Sequence, residues 1–176
     1  ASGLRGVLAP LAMTPVTDPA ENPAVGTTRE SACTGNSTEC ARKSGWVLDL
    51  PDSGERLNID MSLTLGTLIS ATNVPRNTAC NIGGYSWLNF LDYRTGLSVA
   101  GSPIASGNTT GNVSAYLGET LAVGLSVMRL PSSTPGGQGK TVAVVMGSSG
   151  TPQSFAPPVN VPPPIGRRVS WQELVR

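Results

Sequence analysis

The chain has 176 residues, of which 13% are charged and 5% aromatic, and its 21 glycines and 15 prolines supply many turns. This composition is typical of short strands joined by loops, and a net charge of +1 offers no basic surface for nucleic acid or an anionic membrane. The chain contains no histidine, which excludes Ser-His-Asp and Cys-His catalysis within it. No apolar run reaches the ~18 residues of a membrane-spanning helix.

The N-terminal part is predicted to be irregular. Residues 7–17 are apolar but contain two prolines, so we expect at best an edge strand there. A polar loop is predicted over 18–44, with a short strand near 25–30. We expect the chain to be a piece of a longer, exported precursor.

Two cysteines of this loop are predicted to form a disulfide. Cys33 and Cys40 lie close in sequence in a polar segment and would close a small loop in an oxidising compartment. A pair of metal thiolates is the alternative, but no second Cys or His pair completes a four-ligand set. Cys80 is then left over, and we expect it to be buried or paired outside this chain.

Residues 45–96 contain a series of strand-like runs between turn signals. Residues 46–50 are predicted as a strand, with 56–60 as its hairpin partner across a Pro-Asp-Ser-Gly turn. Residues 62–73 read as one long central strand, and 74–84 read as a loop. Short antiparallel strands with repeating tryptophans favour a propeller blade, which has four such strands.

The last run of this segment ends in a tight turn. Residues 85–93 alternate as a strand, and Asp92 and Gly96 bracket the turn that follows. We expect the Asp92 carboxylate to accept N–H bonds from Arg94 or Thr95. Asp92 and Gly96 are therefore assigned structural roles.

Neither the aromatic nor the acidic residues are predicted to form a site. Trp46, Trp87 and Trp171 are interpreted as structural packing residues and not as sugar-stacking platforms. The acidic residues around the 51–54 turn are interpreted as solvated, because a calcium loop needs alternating Asp or Asn ligands around a Gly. They are Asp49, Asp52, Glu55 and Asp60. No catalytic, cofactor-binding or metal residue is assigned.

The C-terminal part is predicted to contain a strand pair, a linker and a docked end. Residues 97–118 are loose and glycine-rich, and the runs 119–130 and 140–146 read as an antiparallel pair. Residues 148–165 read as a Pro-rich linker. Residues 166–176 are expected to dock on the β core as a strand, with a short helix as the alternative.

Several of these stretches, in this order and spacing, resemble one family. They are similar to the C-terminal propeller region of the PilY/PilC-type proteins, the tip-associated adhesins and biogenesis factors of bacterial type IV pili. The matching residues are GWVLDLP (45–51), SGER (53–56), ATNVP (71–75), Cys80 before Gly83-Gly84, SWL (86–88), LDYRTG (91–96) and GRRVSWQEL (166–174).

The resemblance implies a large protein that is exported through the periplasm and located at the pilus tip. Its propeller would support pilus assembly with minor pilins, and an upstream adhesive part would touch a host or abiotic surface. Residues 1–147 would form one or two blades, completed by the remainder of the precursor. The family's calcium site lies in an acidic propeller loop, which has no counterpart here. We therefore expect no cofactor in this chain, and a calcium site would lie elsewhere in the precursor.

Two other function classes stay open at this point. One is a fragment of a propeller quinoprotein dehydrogenase, whose blades also use Trp-rich closing turns. It would need acidic and basic residues gathered in a funnel, and this chain has few of them. The other is a generic extracellular module that binds a glycan or a protein. The resemblance favours a mainly β, non-enzymatic pilus protein.

Overall fold

The computed structural model describes residues 7–16, 28–41, 43–78, 81–99, 112–133 and 139–159. Strands dominate these residues, and the single short helix among them is α1 (Ser37–Ala41). The strands are β1 (Ala9–Val16), β2 (Thr28–Cys33), β3 (Trp46–Asp49), β4 (Ser62–Thr64), β5 (Thr67–Thr78), β6 (Asn81–Asp92), β7 (Asn112–Tyr116), β8 (Ala122–Leu130), β9 (Lys140–Gly147) and β10 (Pro152–Phe155). The predicted mainly β class is confirmed. In the described part of the chain, no helix is long and apolar enough to cross a membrane.

The strands form two sheets. A seven-stranded sheet has the order β3-β1-β2-β7-β6-β5-β4, and a three-stranded sheet has the order β10-β9-β8. All pairs are antiparallel except β1 with β3, which run parallel. The strands of the smaller sheet lie in consecutive order, whereas those of the larger sheet do not. The predicted pairing of 119–130 with 140–146 is confirmed by β8 and β9.

The centre of the larger sheet is a long hairpin of β5 and β6. Its pairing runs from Thr67 with Asp92 to Thr78 with Asn81, so the loop predicted over 74–84 is wrong. The long strand predicted over 62–73 is also wrong, because the chain reverses after Thr64. Leu65 and Gly66 both have positive φ, at 48° and 82°, which is the backbone geometry of a two-residue hairpin turn.

The N-terminal strands differ most from the sequence prediction. β1 lies between β3 and β2, and not at an edge, although it contains Pro10 and Pro15. β3 pairs with β1 in parallel and not with 56–60, and within that predicted partner only Arg56 forms a bridge, to Asn73. The hairpin prediction failed because the partner strand is supplied by a distant segment.

Two further strands lie in segments predicted to be irregular. β7 falls within 97–118 and inserts between β2 and β6, where Val113 is fully buried. β10 falls within the predicted Pro-rich linker and pairs with β9. Both strands are short and form because the edge of a neighbouring strand is available for pairing. Their own residues therefore predict strand structure only weakly.

The β5–β6 hairpin is buried on both faces. On the face that we call the apolar face, Ile69, Ala71, Leu88 and Phe90 belong to one cluster with Ala143 and Val145 of the smaller sheet. Thr72, Trp87 and Asn89 alternate with these residues and so lie on the opposite face, which we call the polar face. Asn89 there accepts a hydrogen bond from the Ser114 hydroxyl of β7, at 2.5 Å.

Candidate functional site

The predicted disulfide is present. Cys33 at the end of β2 is bonded to Cys40 of α1, with a Cα–Cα distance of 6.5 Å. Thr34, directly after Cys33, donates both its backbone N–H and its hydroxyl to the Pro10 carbonyl of β1, each at 3.1 Å. The disulfide-closed loop is therefore attached to the beginning of β1.

The turn after β6 has the geometry that the sequence predicts. Asp92 Oδ1 accepts the backbone N–H groups of Arg94 and Thr95 at 2.8 and 3.2 Å. Gly96 has a φ of 68°, and a Cβ at this position would collide with the side chains of Leu11 and Trp46. A glycine is required here both by the backbone conformation and by the close approach of the indole.

Trp46 connects β3 to this turn. Its indole N–H donates to the backbone carbonyl of Tyr93 at 3.0 Å. The half-buried ring also packs against a small cluster formed by Met13, Leu91 and Val113. The structure thus brings Trp46 together with the Asp92–Gly96 turn, although the two are far apart in sequence.

A cleft lies between the disulfide, β1, the start of β3 and this turn. Its outer chamber has a volume of about 730 Å³, and its inner chamber has a volume of about 190 Å³. Both volumes together are in the range of small-ligand sites. The chambers share their wall residues, which are Ala41, Lys43, Gly45, Trp46, Arg94 and Thr95.

The two chambers differ in chemistry. The residues that line only the inner chamber are Ala9, Leu11, Cys33, Cys40 and Leu97. None of their side chains carries a hydroxyl, an amide or a charge. The outer chamber adds Leu8, Ser44, Asp92 and Tyr93. Lys43 and Arg94, both exposed, line the outer chamber together with the carboxylate of Asp92. In the described part of the chain, nothing accepts a hydrogen bond from the Arg94 guanidinium.

A second cluster of charges is buried on the polar face of the hairpin. Arg29 of β2 is 1% exposed and donates to Glu55 at 2.8 Å and to Asp52 at 2.6 Å. Its guanidinium carbon lies 3.9 Å from the centre of the Trp87 ring. We call Arg29, Asp52, Glu55 and Trp87 the Arg29 cluster.

The Arg29 cluster corrects the prediction that the carboxylates are all solvated. Asp49 and Asp60 are exposed, but the side chain of Glu55 is fully buried and that of Asp52 is 30% exposed. The sequence does not indicate that Arg29 pairs with Asp52 and Glu55, because it lies 23 and 26 residues away from them in the chain. No local signal marks such a partner.

Neighbouring side chains extend the cluster. Asp52 Oδ2 also accepts the Tyr85 hydroxyl at 2.9 Å and the Trp87 indole N–H at 3.1 Å, and Glu55 accepts the Thr72 hydroxyl at 2.6 Å. Burial, then the hydrogen bond and charge of Asp52, raise the pKa of Tyr85 to about 12. The polar atoms of the cluster satisfy one another, so we interpret it as a structural clamp and not as a ligand site.

Some predicted features lie outside the described residues. These are Trp171, the docked segment 166–176, Cys80, and the Pro-rich linker beyond residue 159. The linker's first part is visible, since Pro157 is buried and the Pro158 carbonyl accepts the Thr67 hydroxyl at 2.6 Å. Within the described ranges no three His, Cys, Asp or Glu residues gather where they could hold a metal ion.

Comparison with known proteins identified no matching family model, no matching curated protein and no matching solved structure.

Proposed function

We propose that this chain is a non-enzymatic structural and interaction part of a type IV pilus tip adhesin, which supports pilus assembly with minor pilins and surface attachment. The observation that carries the proposal is the ordered resemblance of 45–96 to the PilY/PilC-type proteins. Support comes from where these residues lie. Trp46, Asp92 and Gly96 belong to the matching stretches and form one contact between β3 and the β6 turn.

The finer part of the proposal concerns the propeller. The smaller sheet, with its consecutive order β10-β9-β8, would be part of a blade that the remainder of the precursor completes. β8 pairs with β9 on one side, and within the described sheets its other edge has no partner. An open strand edge of this kind readily accepts a further strand.

The location at a pilus tip is the least direct part of the proposal. The Cys33–Cys40 disulfide indicates an oxidising extracellular or periplasmic compartment. An exported pilus protein passes through such a compartment and works outside the cell. The disulfide supports export, and the resemblance alone supports the pilus.

A complementation experiment tests the proposal. The gene would be deleted in its piliated host and returned as wild type, as Gly96→Leu and as Gly35→Ala. We expect the deletion and Gly96→Leu to lose surface pili, because Gly96 has no space for a side chain. Gly35→Ala is the matched control, since a Cβ there meets no atom within 4 Å.

Affinity capture completes the test. Minor pilins should co-purify with the tagged wild-type protein, and less with Gly96→Leu. Normal piliation in the deletion strain, without capture of minor pilins, would refute the proposal. Dye-linked alcohol oxidation by the purified protein reconstituted with a quinone cofactor would instead support the dehydrogenase alternative.

A further inference from the structure

We propose that the cleft beside the Cys33–Cys40 disulfide binds a peptide segment that presents an apolar side chain next to a carboxylate. The apolar side chain occupies the inner chamber, and the carboxylate pairs with Arg94. This inference goes beyond the pilus proposal and does not depend on it.

The inner chamber selects for an apolar group. Leu11 and Leu97 line it together with the disulfide and the indole of Trp46. A sugar would need a hydrogen-bond partner for each hydroxyl that it buries, and an unpaired hydroxyl carries a desolvation cost. Its charged and hydroxyl side chains, Lys43, Arg94 and Thr95, all lie in the wall shared with the outer chamber, and the rest of its lining is apolar, so an aliphatic or aromatic side chain fits it better than a glycan does.

Arg94 selects for a carboxylate. Its exposed guanidinium lines both chambers and has no acceptor in the described part of the chain. A planar guanidinium binds a carboxylate through two parallel hydrogen bonds, which makes this pairing stronger than a neutral contact. The Asp92 carboxylate lies in the wall of the outer chamber, and its Oδ1 accepts the backbone N–H groups of Arg94 and Thr95.

The walls of the cleft are held in place before any ligand arrives. The disulfide closes one wall, and the bond from Trp46 to the Tyr93 carbonyl holds the indole against the turn. Such preorganisation lowers the entropy cost of binding.

The test is an NMR titration of the full ¹⁵N-labelled chain with three blocked peptides. The probe is acetyl-Ala-Leu-Asp-Ala-amide, and its controls replace Asp by Asn or Leu by Ala. We expect saturable shifts at the Trp46 indole N–H and the 93–97 amides with the probe. Each control should bind about tenfold more weakly or worse, because one of the two contacts is lost.

Two protein variants assign the effect to the cleft. Arg94→Gln should weaken the Leu-Asp peptide about tenfold and abolish its advantage over the Leu-Asn peptide. Arg129→Gln is the matched control, since Arg129 is an exposed arginine of β8 outside the cleft, and it should bind as wild type. The Arg94 side chain is exposed, and among the described residues it forms no hydrogen bond or ion pair, so its loss should leave the protein folded.

Three results would overturn the proposal. They are equal affinity for the Leu-Asp and Leu-Asn peptides, shifts that map outside the cleft, and no binding of any peptide at millimolar concentration. Saturable binding of 3′-sialyllactose at the cleft, with none of the peptide, would assign the cleft to an anionic glycan and would also overturn the peptide proposal.

Discussion

Both faces of the β5–β6 hairpin are largely buried, but they are stabilised by different forces. Ile69 and Leu88 on the apolar face are 0% exposed and contact the smaller sheet. On the polar face, Arg29 is 1% exposed and is held by two carboxylates and one indole ring. One hairpin therefore carries an apolar core on one side and an ionic cluster on the other.

The difference teaches how each face should respond to substitution. Apolar packing is non-directional, so a change that keeps the volume costs little. An ionic cluster is directional, and removal of one member leaves the others desolvated without a partner. The polar face should therefore be the more sensitive of the two, and four predictions test this comparison.

The largest effect is expected for Arg29→Met. It leaves the fully buried Glu55 and the partly buried Asp52 without a counter-charge, and we expect a loss of about 3–5 kcal/mol in the free energy of unfolding. Urea denaturation followed by fluorescence measures it. Arg76→Met, in an exposed pair with Glu119, is the matched control and should cost less than about 1 kcal/mol. Equal losses for both arginines would break the comparison.

Trp87→Ala should destabilise by roughly 3 kcal/mol, as for a buried large aromatic. Trp87 is 3% exposed, contacts the Arg29 guanidinium and packs edge-on against Tyr116, with ring centres 5.2 Å apart. Urea denaturation again gives the value. A loss under about 1 kcal/mol would show that the ring contributes little to the polar face and would revive a role in ligand stacking.

Phe90→Leu should cost less than Trp87→Ala, at about 1 kcal/mol, because the apolar face can repack around a smaller apolar side chain. Phe90 is 1% exposed in the cluster shared with the smaller sheet. The same denaturation series measures it. A loss as large as that of Arg29→Met would mean that the apolar face is packed as specifically as the polar one.

The last prediction is a pH dependence of the polar face, which appears only in alkaline solution. The folded-state pKa of Tyr85 is about 12, above the ordinary value of 10.0, so folding favours the protonated phenol. Its contribution to stability is complete below pH 10 and is lost as the pH rises from 10 to 12. Tyr85→Phe should make this part of the stability profile less steep, and the remaining slope comes from Tyr116, whose pKa is also raised to about 12. The control is Tyr93→Phe, since the Tyr93 side chain is 50% exposed, and an unchanged slope in Tyr85→Phe would contradict the prediction.

The residues that were predicted correctly owe their structure to their near neighbours. Strand side chains alternate with a period of two, so the alternation in 85–93 places Trp87 on one face of the sheet and Leu88 and Phe90 on the other. The Asp92–Gly96 turn and the Cys33–Cys40 disulfide also close over a few residues. The Leu65-Gly66 turn was missed because a leucine with positive φ is uncommon.

Part of the candidate site was visible in the sequence, and part was not. Trp46, Asp92 and Gly96 were identified as structural residues, and the structure places all three beside the cleft. The cavity itself was not predicted, nor was the position of Arg94 in its wall. A cleft is the space between segments that are distant in the chain, so its walls are known only after those segments pack.

By itself, the sequence determined the mainly β class, the disulfide and the turn that ends β6, since each depends on backbone conformation and spacing over a few residues. Tertiary structure alone decided that β1 pairs in parallel with β3, that β7 inserts beside β6, and that Arg29 meets Asp52 and Glu55. The physical reason is that strand pairing and ion pairing across long loops depend on which edges and charges remain unsatisfied after the local elements form.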